Sequence, residues 1–199
     1  MTIGVLVTEL ITSTMAGYAF ACLKFRGKNI LFLFYLISMM IPFHVMLVPT
    51  FELLKNMNLL NSLWSLIWPV LTLPFGVFLM RQFFGDLPIE LAESAKIDGC
   101  TPWGIFTKIY LPLSKPSVAT LSIFIFIATW NDFLKPLIYL SDSKKNTLTL
   151  GIYLMQGTYS TNWPVLMATC TLSLLPALIL FLCMQDLFVE GIAMSGIKG

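Results

Sequence analysis

Charge is what this sequence has least of. Asp, Glu, Lys and Arg make up 11% of its 199 residues against 57% hydrophobic residues, and the net charge is only +2. With a mean hydropathy of +0.84, the chain lies far from an average soluble domain, and its charge is too small to suggest nucleic acid as a partner. Cysteine is sparse and unpatterned: Cys22, Cys100, Cys170 and Cys183 fall in or beside apolar runs with no CxxC pair. Neither a disulfide framework nor a zinc site is indicated, and the four read as small packing residues. There is one histidine, His44, with no second metal ligand near it in sequence. A hydrogen bond to a backbone carbonyl freed by Pro42 explains it better than a metal. A nucleotide-binding P-loop is missing too. Its nearest match, GIAMSGIK at 191–198, has Ile197 where the phosphate-binding lysine must stand and follows no strand, so no ATP hydrolysis is assigned to this chain. Paired catalytic carboxylates, a nucleophile triad, internal repeats and a basic stretch ahead of the first apolar run are all lacking, which leaves enzyme chemistry and a secretory signal without support.

Apolar runs fill the space that these absences leave. At about 20 residues per membrane span, the hydropathy predicts an all-α integral membrane protein with about five transmembrane helices, at 3–23, 30–51, 62–80, 117–133 and 163–184. Pro42, His44 and Pro49 interrupt the second span, and Pro42, Pro69, Pro74 and Pro176 are read as kinks. A short surface or re-entrant helix is expected around 148–156. Glu9 is the one carboxylate well inside a span, which makes function the default hypothesis. It lines a pathway, pairs with a hydroxyl such as Thr8 or Thr12, or pairs with a partner helix. Asn131 and Asp132, after Trp130, end the fourth span either as groups that meet a solute or as a helix end solvated by water.

One long polar segment, 86–116, interrupts the apolar runs. Its chemistry predicts two short helices with a sharp bend between them. Asp86 is the expected N-cap with Pro88 in the first turn, and Leu87, Leu91 and Ala95 form one apolar stripe. Gly99 after Asp98 stands where a left-handed residue would end the helix; Thr101-Pro102 then supplies a new cap and start, with a stop before Pro112. If this segment is cytoplasmic, Lys24, Arg26, Lys28, Arg81, Lys96, Lys108, Lys115 and Lys198 share its side, against Lys55, Lys135, Lys144 and Lys145 on the other. The basic residues therefore agree with that orientation. Trp64, Trp68, Trp130 and Trp163 fall at outer span ends, where indole rings favour the interface. Trp103 alone lies in the polar segment, set either against lipid or against a partner protein.

Glu93-Ser94-Ala95, then Gly99, Ile109 and Leu111-Pro112, follow the spacing E-A-A-x3-G-x9-I-x-L-P and resemble the cytoplasmic loop of ATP-binding-cassette importer permeases. Ser94 replaces the usual alanine. AGYAFA at 16–21, RQFF at 81–84, WNDFLKPL at 130–137 and the closing LFVEGIAMSGIKG are similar to the sugar-type, maltose-like branch of that family along nearly the whole chain. The resemblance implies a single permease domain over 1–199, with 86–116 as a coupling loop that docks on a separate ATPase through Glu93, Ser94, Ala95, Asp98, Gly99, Ile109, Leu111 and Pro112. It further implies a second permease subunit in a heterodimer, an ATPase dimer holding ATP and magnesium, no cofactor in this chain, and an extracytoplasmic binding protein. The setting would be the lipid bilayer of the bacterial inner membrane, with no nucleic acid. The substrate would be a sugar or oligosaccharide meeting Trp130, Asn131 and Asp132. Relatives carry one more helix ahead of this point, so Met1 is expected to be a shortened or alternative start. The rival reading is a secondary carrier or passive membrane scaffold; a carrier would show internal repeats and midplane ion-coupling groups.

Overall fold

The computed structural model describes residues 1–156 and 161–196, with side chains as far as residue 187 in the last helix. Helices follow one another as α1 (Thr2–Cys22), α2 (Lys28–Met39), α3 (Phe43–Asn56), α4 (Trp64–Ile67, continued by a 3-10 turn Trp68–Val70) and α5 (Pro74–Asp86). Then come α6 (Ile89–Ile97), α7 (Pro102–Ile105), a π-helical turn Phe106–Tyr110, α8 (Leu111–Leu113), α9 (Lys115–Trp130), α10 (Leu134–Tyr139), a 3-10 turn Ser143–Lys145, α11 (Leu148–Leu154) and α12 (Trp163–Gly196). Among the described residues there is no strand, only an isolated antiparallel bridge between Gln156 and Thr161.

Thr2–Cys22 and Trp163–Leu187 are each long and apolar enough to cross a membrane, and three bent helix pairs raise the count to five. Counted that way the number agrees with the five expected. The runs at 30–51 and 62–80 are each broken, whereas the third pair joins Pro102–Leu113 of the polar segment to α9 at a bend of 77°, so the fourth expected span is α9 itself, which ends at Trp130 and not at 133. The run at 30–51 is two helices, because Pro42 stands at the N-cap of α3 in extended backbone (φ −60°, ψ 131°). Proline so placed frees no carbonyl inside a helix. His44 accordingly makes no hydrogen bond to such a carbonyl; it is exposed, its ring edge-on to Phe43 at a centroid distance of 5.9 Å. Pro69 and Pro74 also lie in the first turns of their helices, so of the four expected kinks only Pro176 sits inside a helix. The third span runs on past Met80 to Asp86, and the small helix expected around 148–156 is α11, capped by Thr147 Oγ1 accepting from Leu150 N–H.

The chain divides into two compact units. The first comprises Met1–Leu6, Pro42–Leu71 and Ile123–Cys183. Its interior is Leu54, Leu66, Tyr139 and Leu140, flanked by Leu47, Phe51 and Leu60. Asn61, in the left-handed region at φ 56°, stitches this unit together. Its N–H donates to Tyr139 O at 2.8 Å, and its side-chain oxygen accepts from the Ser141 and Asp142 N–H groups at 3.3 and 3.0 Å. Lys145 Nζ donates to its carbonyl at 2.7 Å. Asparagine tolerates this conformation because its short polar side chain bonds locally.

The second unit comprises Val7–Ile41, Thr72–Ser122 and Met184–Gly199. Here α1 and α5 meet through small residues, the packing that helices use where lipid gives no hydrophobic drive. A Cβ on Gly17 would lie 2.5 Å from Met80 Cβ, and one on Gly76 would lie 2.5 Å from Ser13 Oγ. The buried hydroxyls of Thr120 and Ser122 donate to carbonyls four residues back, at 3.0 and 2.7 Å, so these two are satisfied without leaving the apolar interior.

Candidate functional site

The polar segment folds as a rigid elbow in the second unit. Asp86 does not cap its first helix; it is the last residue of α5, and Pro88 is the N-cap of α6. The cause is Leu87, which precedes a proline, is driven out of the helical region and is extended at ψ 141°. Helical register therefore starts at Ile89, and the buried stripe is Ala92 and Ala95 rather than Leu87, Leu91 and Ala95; Leu87 is half-buried and Leu91 exposed. The bend follows the expected chemistry. Gly99 has φ +80°, Cys100 N–H donates to Ala95 O at 2.9 Å and Gly99 N–H to Lys96 O at 3.0 Å, which together close a Schellman motif. Thr101 Oγ1 accepts from Gly104 N–H at 3.2 Å, with Pro102 opening α7.

The second helix does not stop before Pro112. It widens into the π turn, where Leu111 N–H donates five residues back to Phe106 O, and then passes through Pro112 in α8. A proline removes one N–H and crowds the carbonyl four residues earlier, and a wider turn ahead of it relieves that crowding. Ile109 and Leu111 are half-buried and Pro112 is exposed.

What fixes the elbow to the rest of its unit is an aromatic clamp. The Tyr18 ring on α1 lies 5.1 Å from Phe106 and 5.2 Å from Tyr110, and Phe84 on α5 lies 5.7 Å from Tyr110. Tyr18 O–H donates to Pro102 O at 3.0 Å. Phe84, Phe106 and Tyr110 are fully buried, and each such ring pair contributes on the order of 1 kcal/mol beyond its burial. Beside the clamp, Arg81 lies 3.7 Å over the Phe32 ring and its Nε donates to Phe20 O at 3.3 Å. The stretches AGYAFA and RQFF thus converge with the polar segment: Gly17, Tyr18 and Phe20 come from the first, Arg81 and Phe84 from the second. Sequence reasoning left these roles unassigned, although the i,i+4 spacing of Phe106 and Tyr110 was a signal that both share one helix face.

The elbow's outward side is a ridge. Ile89, Glu93 and Ile97 repeat every four residues and are all exposed, Ile97 to 87%. Trp103 is 60% exposed, with its ring 5.3 Å from Phe106. Ser94, Asp98 and Gly99 are exposed as well, whereas Ala95 faces inward. Ile97 was not anticipated, because a lone isoleucine in a helical run gives no sign of which face it occupies.

The residues expected to meet a solute fall in different units. Glu9 is buried, 5% exposed, in the second unit. Trp130, Asn131 and Asp132 belong to the first unit and are held in a structural connector. Trp130 Nε1 donates to Ser173 O at 3.1 Å, and Trp130 O accepts from Thr149 Oγ1 at 2.7 Å. Asn131 Nδ2 donates to Ile127 O at 3.0 Å. Asp132 pairs with Lys135 Nζ at 2.9 Å, and Lys135 in turn lies over the Phe43 ring. Among the described residues no cluster of three or more His, Cys, Asp or Glu side chains is arranged to hold a metal ion.

An all-helical chain with up to five membrane spans and a rigid polar elbow clamped to two of its helices defines a transporter-type membrane subunit. Residues 13–193 match the family described as "Binding-protein-dependent transport system inner membrane component". The chain belongs to that family, as a membrane permease subunit and not an enzyme. The arabinooligosaccharides transport system permease protein AraQ of Halalkalibacterium halodurans is 39% identical over 199 residues, 100% of this chain and 71% of the relative. The sn-glycerol-3-phosphate transport system permease protein UgpE of Salmonella typhi is 36% identical over 197 residues, 98% and 70% of the two chains. A solved structure, "Crystal structure of a bacterial ABC transporter involved in the import of the acidic polysaccharide alginate", has the same fold at a TM-score of 0.85 and 23% identity, covering 94% of this chain and 71% of that one.

Proposed function

We propose that this permease imports a sugar or oligosaccharide, with the 93–112 elbow as its coupling lever to a separate ATP-binding-cassette ATPase. The relatives named for arabinooligosaccharides support the substrate class. The observation that carries the lever is the elbow itself: an exposed ridge of Ile89, Glu93, Ile97 and Trp103 on a bend that the Gly99 backbone, the Thr101 cap and the Tyr18 clamp hold rigid. A docking surface must be exposed, and a lever must transmit displacement without bending. An outer binding protein delivers the solute, and a second permease subunit completes the path as a heterodimer. ATP and magnesium act in the ATPase dimer. Closure of that dimer moves the elbow and biases the helices between inward-facing and outward-facing states. Glu9 lines the path from within the second unit, and Trp130, Asn131 and Asp132 brace its outer segment.

Ile97→Asp tests this reading directly, because the side chain is almost fully exposed and its replacement disturbs no core contact. The variant subunit is expected to reach the membrane in normal amount, to lose ATPase co-purification and to abolish uptake. Retained ATPase with normal uptake would remove the elbow from the interface and favour a carrier or scaffold.

A further inference from the structure

We infer that the turn between α1 and α2 binds the headgroup of an anionic phospholipid. An open cavity of about 510 Å³ lies there, lined by Lys24, Phe25, Gly27, Lys28 and Asn29 among others. Lys24 and Lys28 line the cavity, Arg26 stands beside Lys24 in the same turn but not in the lining, and the three cations divide into two roles. Lys28 is committed internally: its Nζ donates to Ala21 O at 2.9 Å and Leu23 O at 3.1 Å, closing the end of α1 and holding the turn, which folds back at Gly27 with φ +82°. Lys24 and Arg26 are exposed, and neither has a hydrogen bond or ion pair among the described residues. From 10 to 51 the sequence contains no Asp or Glu, so no neighbour along the chain neutralises them.

Apolar surface adjoins these cations. Phe25, and on α2 Ile30, Leu31, Leu33 and Phe34, are all exposed, and α2 forms part of a membrane-spanning pair. Inorganic phosphate would use only the cations. A phospholipid uses both features, its phosphate at Lys24 and Arg26 and an acyl chain along α2. Basic residues at a span end attract anionic lipid by about 1 kcal/mol each, which is about fivefold per charge.

The test is native mass spectrometry of the assembled transport complex, titrated with phosphatidylglycerol and with phosphatidylcholine of matched chains. The wild type is expected to retain phosphatidylglycerol preferentially. Lys24→Gln combined with Arg26→Gln is expected to weaken that binding about thirtyfold, with phosphatidylcholine unaffected. Lys55→Gln with Lys144→Gln, equal in charge but in the other unit and both exposed, should leave phosphatidylglycerol binding unchanged, and millimolar inorganic phosphate should leave the lipid bound. Three results would overturn the assignment: no preference for phosphatidylglycerol in the wild type, as when a partner helix covers the cavity; equal losses in both double variants; or displacement of the lipid by inorganic phosphate. Both substituted side chains are exposed and, among the described residues, unpaired, so loss of fold is not the expected outcome, and unchanged complex mass and yield would verify it.

Discussion

Gly99 is the position at which the proposed lever can be broken without touching any contact in this subunit. Its φ of +80° costs an ordinary L-residue about 1–2 kcal/mol, while a Cβ placed there meets nothing within 4 Å. Any effect of substitution in this subunit is therefore backbone strain, not collision. Against it stand two Schellman hydrogen bonds and the Thr101 cap, each contributing about 1 kcal/mol, so roughly 3 kcal/mol holds the bend. Gly99→Asn should be nearly silent, because asparagine accepts the left-handed region. Gly99→Ala uses up part of the margin and should lower uptake no more than a few-fold. For Gly99→Val, β-branching raises the strain further and consumes most of the margin. Uptake should then fall about tenfold or more, while the subunit still inserts and the ATPase still turns over. The assay is uptake against ATP hydrolysis in proteoliposomes carrying the whole complex. Normal uptake by the valine variant would refute the lever, and an asparagine variant as impaired as the valine one would show that bulk, not backbone, matters there.

The clamp makes a second prediction. Tyr18→Phe keeps the rings and loses only the bond to Pro102 O, so it should cost about 1 kcal/mol and raise the ATP consumed per solute slightly, whereas Tyr18→Ala should cost about 3–5 kcal/mol and uncouple strongly; equal coupling ratios in the two would mean that the clamp carries no motion. Helix packing gives a third: Gly17→Ala forces a Cβ to 2.5 Å from Met80 and should destabilise by about 1–3 kcal/mol, while Gly85→Ala, with open space around it on α5, should be neutral or stabilise by up to about 1 kcal/mol, both read as melting temperature in detergent. Glu9→Gln should lower uptake with complex assembly unchanged; wild-type uptake would leave the buried carboxylate with a packing role only.

Local chemistry was legible from the residues alone. Gly99 and Thr101-Pro102 specify a left-handed stop and a new start, because positive φ, side-chain caps and proline placement are decided by near neighbours. For the same reason the five apolar runs announced membrane spans. Boundaries were read less well, since Leu87 before Pro88 moved the start of α6 and Pro42 proved a helix start instead of an interior kink. Only tertiary structure decided which aromatic rings clamp the elbow. In a chain that is 57% hydrophobic, Tyr18, Phe84, Phe106 and Tyr110 look like many other apolar positions, and their meeting depends on how α1 and α5 approach at Gly17. The same dependence on packing turned Ile97 outward and brought Arg81 to the carbonyl of Phe20 near the end of α1. Backbone conformation is written within a few residues; the pairing of distant side chains is settled when helices pack.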